Sequence, residues 1–384
     1  MRDCPCCRRR LLEVALFLTA SYVLSIVSRW KPSSAFQQFS VREERAATTA
    51  TLQGRHFDVY NYSLPCDVIE PVEKYSTLLQ PTPDGLFFLK PYKVGSSTAS
   101  GVHLRVARNI ARRRNESLLG DSLEPQICKA RFSHGKTLSP AAYLFHNRSK
   151  TQSFLWSLLR DPTNRKISEF FHFQVSREHV PPTDDNFLHH IRTSKRAADY
   201  YLQALSLTPG FDRTRDDPIA TANAILADYD FIAITERMDE SLVVMSMLMR
   251  IPVSDFLHLS AKTNGNYDAL KPCIYITPKF VSPGMQDFFQ SEEWRDYIQH
   301  DLVLYQAVNR SLDLTIEHLG REAFEQRLYV FRAMQQMVKE LCLPTAVFPC
   351  DSEGNYHEEN NCMWKDSGCN MDCLDRVAAQ FQDQ

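Results

Sequence analysis

Short apolar runs and amphipathic stretches alternate along the chain from about residue 84. The strand-like runs cover residues 86–89, 127–132, 154–159 and 231–235. Between them, stretches with helical spacing begin near Thr98, Pro162 and Asp239, and Asp161 and Asp239 are the expected N-caps. Because strands separated by helices form parallel βαβ units, this order predicts an α/β fold with a parallel sheet flanked by helices.

The C-terminal part of the chain has a different pattern. After residue 291 apolar positions recur at helical spacing almost continuously, which predicts a helical C-terminal part of the domain. The last segment, residues 344–384, is rich in cysteine, and we interpret it as a disulfide-rich cap. The main domain is therefore predicted to cover residues 84–343.

The N-terminus has the features of a targeting element. Basic residues precede an apolar run at 11–28, and Trp30 and Lys31 follow it. We predict a cytosolic tail at 1–10, a signal-anchor transmembrane helix at 11–28 and a lumenal stem at 29–83, since the stem is polar with little periodicity. A cleaved signal peptide is the alternative, although no clear small-residue cleavage site follows.

Composition is typical of a folded secretory protein. The 384 residues are 43% hydrophobic, which is enough for a sizeable core, and a formal net charge of -2 gives no reason to expect a nucleic-acid partner. The cysteines beyond the N-terminal cluster are even in number, which favours disulfides. Zinc binding by Cys362, Cys369, Cys373 and His357 is the alternative, but the Cys-x₂-Cys pairs of zinc ribbons are missing from this spacing.

The most distinctive stretch, GLFFLKPYKVGSSTASG, joins the first apolar run to the first helix. Small and basic residues fill its loop and helix start: Lys90, Lys93, Gly95, Ser96, Ser97 and Thr98. A helix N-terminus after such a loop offers unpaired backbone N–H groups and the positive end of the helix dipole, so it can hold a phosphate or sulfate. A Walker A loop is not expected, because its lysine follows the second glycine, whereas Lys93 precedes Gly95. A plain strand-to-helix turn is the alternative.

A second candidate for anion binding is SLLRDPTNRKISEFFHF, at the end of the third apolar run. Arg160 comes at the carboxyl end of this run, and Ser168 lies in the first turns of the helix that begins at Pro162. An arginine there can bind a phosphate bidentately, and a serine hydroxyl can donate to the same group. The alternative is a structural ion pair between Arg160 and Asp161 or Glu169.

Together the two stretches resemble the donor-binding motifs of Golgi membrane-bound carbohydrate sulfotransferases, which use 3′-phosphoadenosine 5′-phosphosulfate (PAPS). The first resembles their 5′-phosphosulfate loop, in a form close to that of galactose 3-O-sulfotransferases, and the second resembles their 3′-phosphate motif. A later segment, FIAITERMDESLVVM, is similar as well. The resemblance implies a P-loop-like fold, a type II anchor, residence in the Golgi membrane, and transfer of a sulfuryl group from PAPS to a carbohydrate hydroxyl.

The resemblance implies roles for the donor-binding residues. Lys93 would stabilise the bridging oxygen, and Lys90 and the backbone N–H groups of residues 95–98 would surround the 5′-phosphosulfate. Arg160 and Ser168 would hold the 3′-phosphate. This scheme requires no metal.

A base is also needed for the attacking hydroxyl, and His134 is the first candidate. It comes just after a predicted strand, at the carboxyl edge of the sheet where α/β folds bind their ligands, and an imidazole suits proton transfer near neutral pH. His103, His146 and Glu169 are further candidates.

Two other classes of protein stay open. A lumenal glycosyltransferase would usually carry a D-x-D metal motif, and D-Y-D occurs at 228–230, although a turn at a strand edge explains this triplet as well. A non-catalytic lumenal binding protein with the same fold is the other class. Finally, Arg105, Arg108 and the basic run at 112–114 are expected to form a solvated helix face, which could steer an anionic ligand.

Overall fold

The computed structural model describes the part of the chain that follows the predicted anchor. It covers residues 54–61, 64, 85–114, 131–134, 145, 148–194, 199–208, 216–261 and 265–381. The predicted tail at 1–10, the signal-anchor at 11–28 and most of the stem lie outside these residues. Within them, no helix is both long enough and apolar enough to cross a membrane.

A parallel sheet forms the centre of the fold. Its strands are β1 (Gly85–Lys90), β2 (Arg131–His134), β3 (Ser153–Leu159) and β4 (Phe231–Ile234). They are hydrogen-bonded in the order β2-β1-β3-β4, and every pairing is parallel. The register sets Phe88 beside Trp156, and Trp156 beside Phe231. The predicted α/β class with a parallel sheet is therefore confirmed.

The strand order creates a switch point at the carboxyl edge of the sheet. From β1 the chain moves to β2 on one side, whereas β3 lies on the other side of β1. The chain therefore leaves β1 and β3 towards opposite sides of the sheet, and we call the region between these two strand ends the crevice. In open α/β sheets this crevice is where ligands bind.

Helices cover the sheet and form most of the C-terminal part. Those that precede β4 are α1 (Ser96–Arg113), α2 (Pro162–Glu169), α3 (Asp184–Thr193), α4 (Tyr200–Leu205) and α5 (Pro218–Asp228). Those that follow it are α6 (Met238–Met249), α7 (Pro283–Phe289), α8 (Glu292–Leu319), α9 (Arg321–Met337) and α10 (Met371–Ala379). A π-helical segment, Phe170–Arg177, continues α2, and a second one, Val338–Cys342, continues α9.

Shorter elements complete the described chain. They are the 3₁₀ turns Thr235–Arg237 and Val253–Phe256, the hairpin of β5 (Tyr267–Asp268) and β6 (Ile274–Tyr275), and the hairpin of β7 (Cys362–Trp364) and β8 (Ser367–Cys369).

Most predicted element boundaries agree with the structure to within a residue or two, and two of these small differences change the position assigned to a residue. The second strand ends at His134 rather than at residue 132, so His134 belongs to the strand. Asp239 is not the N-cap of α6, because that helix begins at Met238 and Asp239 lies in its first turn. Acidic residues are favourable in either position, so the sequence pattern did not distinguish them.

Part of the predicted stem belongs to the folded core. Phe57 is fully buried, its ring packs edge-on against Phe231 at 5.4 Å, and its backbone N–H donates to the hydroxyl of Thr315 at 2.9 Å. Tyr60 packs against Phe154 in the same way. The folded unit therefore begins before residue 84. The sequence did not indicate this, because an extended segment that contributes a few anchoring side chains has no periodic pattern.

Three disulfides tie the C-terminal region together. They join Cys273 to Cys350, Cys342 to Cys373 and Cys362 to Cys369. The disulfide-rich cap is therefore confirmed. The alternative zinc site is ruled out, because the sulfur atoms of its three cysteines form disulfide bonds.

Candidate functional site

The loop after β1 leads directly to the crevice. The strand is buried along its whole length, and α1 begins at Ser96 after two residues with left-handed backbone, Lys93 with φ 62° and Gly95 with φ 80°. Such a φ is uncommon for a lysine and easy for a glycine. A tight turn of this kind brings the N-terminus of an eighteen-residue helix to the edge of the sheet.

The N-terminus of α1 lacks a side-chain cap, as do those of α4, α6, α9 and α10, whereas the other five described helices have one. Side chains cap α2, α3, α5, α7 and α8, and these caps are Asp161, Thr183, Asp217, Ser282 and Ser291. In α1 the N-cap is Gly95, and no acidic residue lies in the first turn. An uncapped helix N-terminus retains its partial positive charge and its N–H donors, so it is suited to an anion.

Serine and threonine side chains of this turn brace the loop. The hydroxyl of Ser100 donates to the carbonyl of Ser96 at 2.8 Å, and that of Thr98 accepts a hydrogen bond from the backbone N–H of Ala261 at 3.1 Å. The carbonyl of Ser97 accepts from the hydroxyl of Ser367 at 3.0 Å. The hydroxyl oxygen of Thr98 is thus held by the protein as an acceptor, which fixes this side chain at the start of α1 beside the backbone N–H groups.

Arg160 joins the two sequence motifs. It follows the last residue of β3, and its Nη1 donates to the backbone carbonyl of Lys93 at 3.3 Å. Its Nε is buried and has no hydrogen-bond partner among the described residues, with the nearest acidic oxygen, Oε1 of Glu236, at 3.9 Å. A buried guanidinium N–H without a hydrogen bond is costly unless a ligand supplies the acceptor. The ion pairs with Asp161 or Glu169 that the sequence allowed are not the contacts that Arg160 makes.

Two adjacent tyrosines hold both loops in place. The hydroxyl of Tyr200 accepts the backbone N–H of Tyr92 at 2.7 Å. The hydroxyl of Tyr201 donates to the carbonyl of Arg160 at 2.6 Å and accepts its N–H at 3.2 Å. The guanidinium of Arg165 lies over both rings, at 4.4 and 5.2 Å from their centres. Helix α4 therefore fixes the distance between the two motifs.

Arg165 belongs to a buried network under the site. Its Nη1 lies 2.9 Å from a carboxylate oxygen of Glu169, and its Nη2 lies 3.5 Å from Asp301. Both Arg165 and Glu169 are almost fully buried. Glu169 therefore has a structural contact here and is a poor candidate for the base. Ser168, one residue before it on α2, is half-buried.

The sequence did not single out Glu236 and Lys279, which the structure brings next to Arg160. Glu236 follows β4, accepts the backbone N–H of Asp161 at 3.1 Å, and has a raised pKa because partial loss of hydration disfavours its charged form. Burial, and then repulsion from Arg160, lowers the pKa of Lys279 to about 8. Glu236 could have been found as the polar residue after a buried strand, whereas Lys279 has no motif around it.

The two loop lysines have different surroundings. Lys90, at the end of β1, is buried, and its ammonium lies 5.0 Å from the ring centre of Trp364 in the C-terminal cap. Lys93 is half-exposed, and its ammonium lies 6.0 Å from the ring centre of Phe173. Of the two, Lys93 is the lysine with the more open position at the crevice.

The three histidines considered as the base lie in different parts of the chain. The backbone of His134 is the last residue of β2 and pairs with Lys90, so it lies at the predicted edge of the sheet. His103 is fully buried in the core, accepts the indole N–H of Trp156 at 3.1 Å, and has its pKa lowered by burial to about 3. A histidine with this environment is neutral and inaccessible, so it is not a base. His146 lies outside the described residues.

The D-Y-D triplet lies at the opposite edge of the sheet. Asp230 immediately precedes β4, and its carboxylate accepts hydrogen bonds from Arg148 and from the backbone of Leu155, both at 2.7 Å. The hydroxyl of Tyr229 donates to the carbonyl of Leu205. These contacts identify the triplet as a strand-edge turn.

The basic face of α1 is exposed only at its C-terminal end, at residues 112–114, and the expectation of a solvated face was wrong for Arg105 and Arg108. Arg105 and Arg108 are buried, and both guanidinium groups contact Asp375 of α10, at 2.6 and 2.9 Å. Arg112 contacts the same carboxylate at 2.7 Å. Burial on its own would raise the pKa of Asp375, but Arg105 and Arg108 outweigh it and hold the pKa below its usual value. The face therefore binds the C-terminal cap.

The fold and the site together define an α/β protein with an uncapped helix N-terminus and an arginine at its switch point. A scan against protein-family models finds no family that matches the chain, and a search of the curated proteins finds no match.

Proposed function

We propose that the protein is a PAPS-dependent carbohydrate O-sulfotransferase, anchored in the Golgi membrane with its catalytic domain in the lumen. One observation carries the proposal. Arg160 donates to the carbonyl of Lys93, so the two motifs that resemble a 5′-phosphosulfate loop and a 3′-phosphate motif are in direct contact at the switch point. A nucleotide with phosphates on both its 5′ and 3′ oxygens needs two such sites side by side.

The donor fits the groups that the site offers. The uncapped N-terminus of α1 supplies N–H donors and positive potential for the 5′-phosphosulfate. The buried Nε of Arg160 supplies a donor for the 3′-phosphate, and Ser168 would add its hydroxyl. The P-loop-like character of the fold is part of this proposal.

The reaction is an in-line displacement at sulfur. A bond forms between the acceptor hydroxyl oxygen and sulfur, while the bond between sulfur and the 5′-phosphate oxygen breaks, so that 3′-phosphoadenosine 5′-phosphate (PAP) leaves. Lys93 stabilises the negative charge on the leaving oxygen. The hydroxyl proton passes to a base, for which we propose His134 at the end of β2. This scheme has no step that calls for a metal.

Binding of PAP to the full-length protein tests the donor site. Calorimetric titration should give a saturable site, and Arg160→Ala should weaken it by at least tenfold, because a charge-assisted contact is lost. Arg192→Ala is the matched control, since Arg192 pairs with Glu293 on the exposed surface of α3. No PAP binding by the wild-type protein would refute the proposal.

Sulfate transfer tests the enzyme itself. Labelled PAPS should give labelled product with at least one member of a glycan panel, and His134→Ala should abolish turnover while PAP still binds. PAP binding without transfer to any glycan would favour a non-catalytic binding protein. Turnover retained by His134→Ala would remove this histidine from the mechanism.

A further inference from the structure

Aromatic and cationic side chains form a partly exposed cluster beside Lys93. The ammonium of Lys93 lies 6.0 Å from the ring centre of Phe173, and the guanidinium carbon of Arg177 lies 5.3 Å from the same centre. The ring of Tyr92 meets that of Phe173 edge-on, with 6.4 Å between the ring centres. We call these four residues the Phe173 cluster.

The π-helical segment explains why Phe173 is not in the core. Phe170 and Phe171 are buried, and they pack edge-on against Phe187 and Phe280 at 5.3 and 5.2 Å. In an α-helix Phe173 would lie almost above Phe170, one turn on. The wider π turn rotates each residue by a smaller angle, so Phe173 falls short of that face and stays half-exposed. Such π segments are frequent at functional sites.

Arg177 is held by a buried carboxylate but remains accessible. Its Nη2 lies 2.9 Å from Asp268, which is almost fully buried, while a third of the Arg177 side chain is exposed. The ion pair fixes the guanidinium beside Phe173 and compensates its charge. A guanidinium whose position is fixed, and whose charge is balanced by a carboxylate, is suited to donate hydrogen bonds to neutral hydroxyl groups.

We propose that the Phe173 cluster is the acceptor subsite and that it binds a neutral pyranose ring. The apolar C–H face of the sugar packs on the ring of Phe173, Arg177 donates to one of its hydroxyls, and the hydroxyl that reacts lies on the Lys93 side. Binding sites of this kind combine an aromatic surface with a few convergent polar groups. This inference rests on the proposed function, since it takes Lys93 as the residue at the transferring sulfuryl group.

Sulfation kinetics of the full-length protein test the subsite. Two neutral acceptors, p-nitrophenyl galactoside and p-nitrophenyl glucoside, are compared with a charged acceptor, p-nitrophenyl glucuronide. The affinity for PAP is measured separately by calorimetry. Phe173→Leu should raise the KM for the neutral acceptors about tenfold and leave the Kd for PAP within about twofold. Phe173→Tyr should restore the KM. Arg177→Met should also raise the acceptor KM, with PAP affinity unchanged.

Tyr329→Leu is the matched control, because Tyr329 is an exposed aromatic residue on α9, with 67% of its surface accessible. It should leave every constant unchanged. An unchanged acceptor KM in Phe173→Leu, or a PAP Kd that rises in step with that KM, would overturn the subsite while the proposed function stands. Exclusive use of the glucuronide would overturn the neutral-sugar assignment. Absence of both PAP binding and transfer in the wild type would overturn the proposed function and the subsite with it.

Discussion

Replacing Tyr201 with phenylalanine should weaken binding of the donor nucleotide through its 3′-phosphate alone. The change removes one oxygen atom from a fully buried side chain and keeps the ring that packs beneath Arg165. That oxygen makes both hydrogen bonds to the backbone of Arg160, at 2.6 and 3.2 Å. Burial raises the pKa of Tyr201 well above its usual value, so the phenol stays protonated and able to donate at any assay pH.

The magnitude follows from those two hydrogen bonds. Each contributes about 1 kcal/mol to stability, so the free energy of unfolding should fall by about 2 kcal/mol. If this whole free energy is lost from PAP binding because Arg160 is displaced, PAP affinity falls by at most about thirtyfold. Adenosine 5′-monophosphate has no 3′-phosphate, so its affinity should change by no more than about twofold.

Calorimetric titration with both nucleotides makes the measurement, and Tyr200→Phe is the contrasting variant. Its hydroxyl holds the N–H of Tyr92 in the loop before α1, so removing it should weaken PAP and adenosine 5′-monophosphate equally. Equal losses for both nucleotides in Tyr201→Phe would show that Tyr201 does not act through the 3′-phosphate. So would unchanged PAP affinity in a variant whose unfolding free energy has fallen by the expected amount.

Three further predictions concern the frame around the site. Asp375→Ala should lower the free energy of unfolding in urea by about 3 kcal/mol, because it leaves the buried Arg105 without its carboxylate; a loss under about 1 kcal/mol would contradict this. His103 has a lower pKa in the folded protein than in the unfolded chain, so the free energy of unfolding should fall as the pH drops below the unfolded pKa. Between pH 7.5 and 5.5 the fall should be about 1.4 kcal/mol. His103→Gln should remove this part of the pH dependence. Asp228→Asn should leave sulfate transfer unchanged, since this residue ends α5 at the far edge of the sheet. Loss of the transferase activity in this variant, together with a requirement for manganese, would favour the glycosyltransferase.

The elements nearest the site could be predicted because their signals are local. A proline at the first position of α2 with Asp161 before it, and a glycine between β1 and α1, determine where strands end and helices begin. Apolar runs identified β1 and β3 almost to the residue. The ends of parallel strands meet at one edge, so Lys93 and Arg160 could be expected near each other before any contact was known.

Contacts between distant segments could not be predicted in this way. Arg105 and Arg108 have the spacing of a solvated basic face, and their burial depends on Asp375, more than 260 positions further along the chain. Tyr201 lies in a six-residue helix without a motif, and Lys279 lies in a loop. Periodicity reports which residues share a face, but it does not report what covers that face.

The cysteine-rich cap forms part of the frame of the loop for which we propose donor binding. Its hairpin packs directly on the first turns of α1, where a side chain on Gly101 would come within 2.7 Å of the backbone of Gly368. Ser367 donates to the carbonyl of Ser97 at the same place. Two disulfides hold this hairpin and α10, so they also restrain the helix end that faces the crevice. The N-terminus of α1 has no side chain that caps its N–H groups, so it lacks the stability that such a residue gives. The cysteine-rich segment supplies that stability from outside the proposed ligand site.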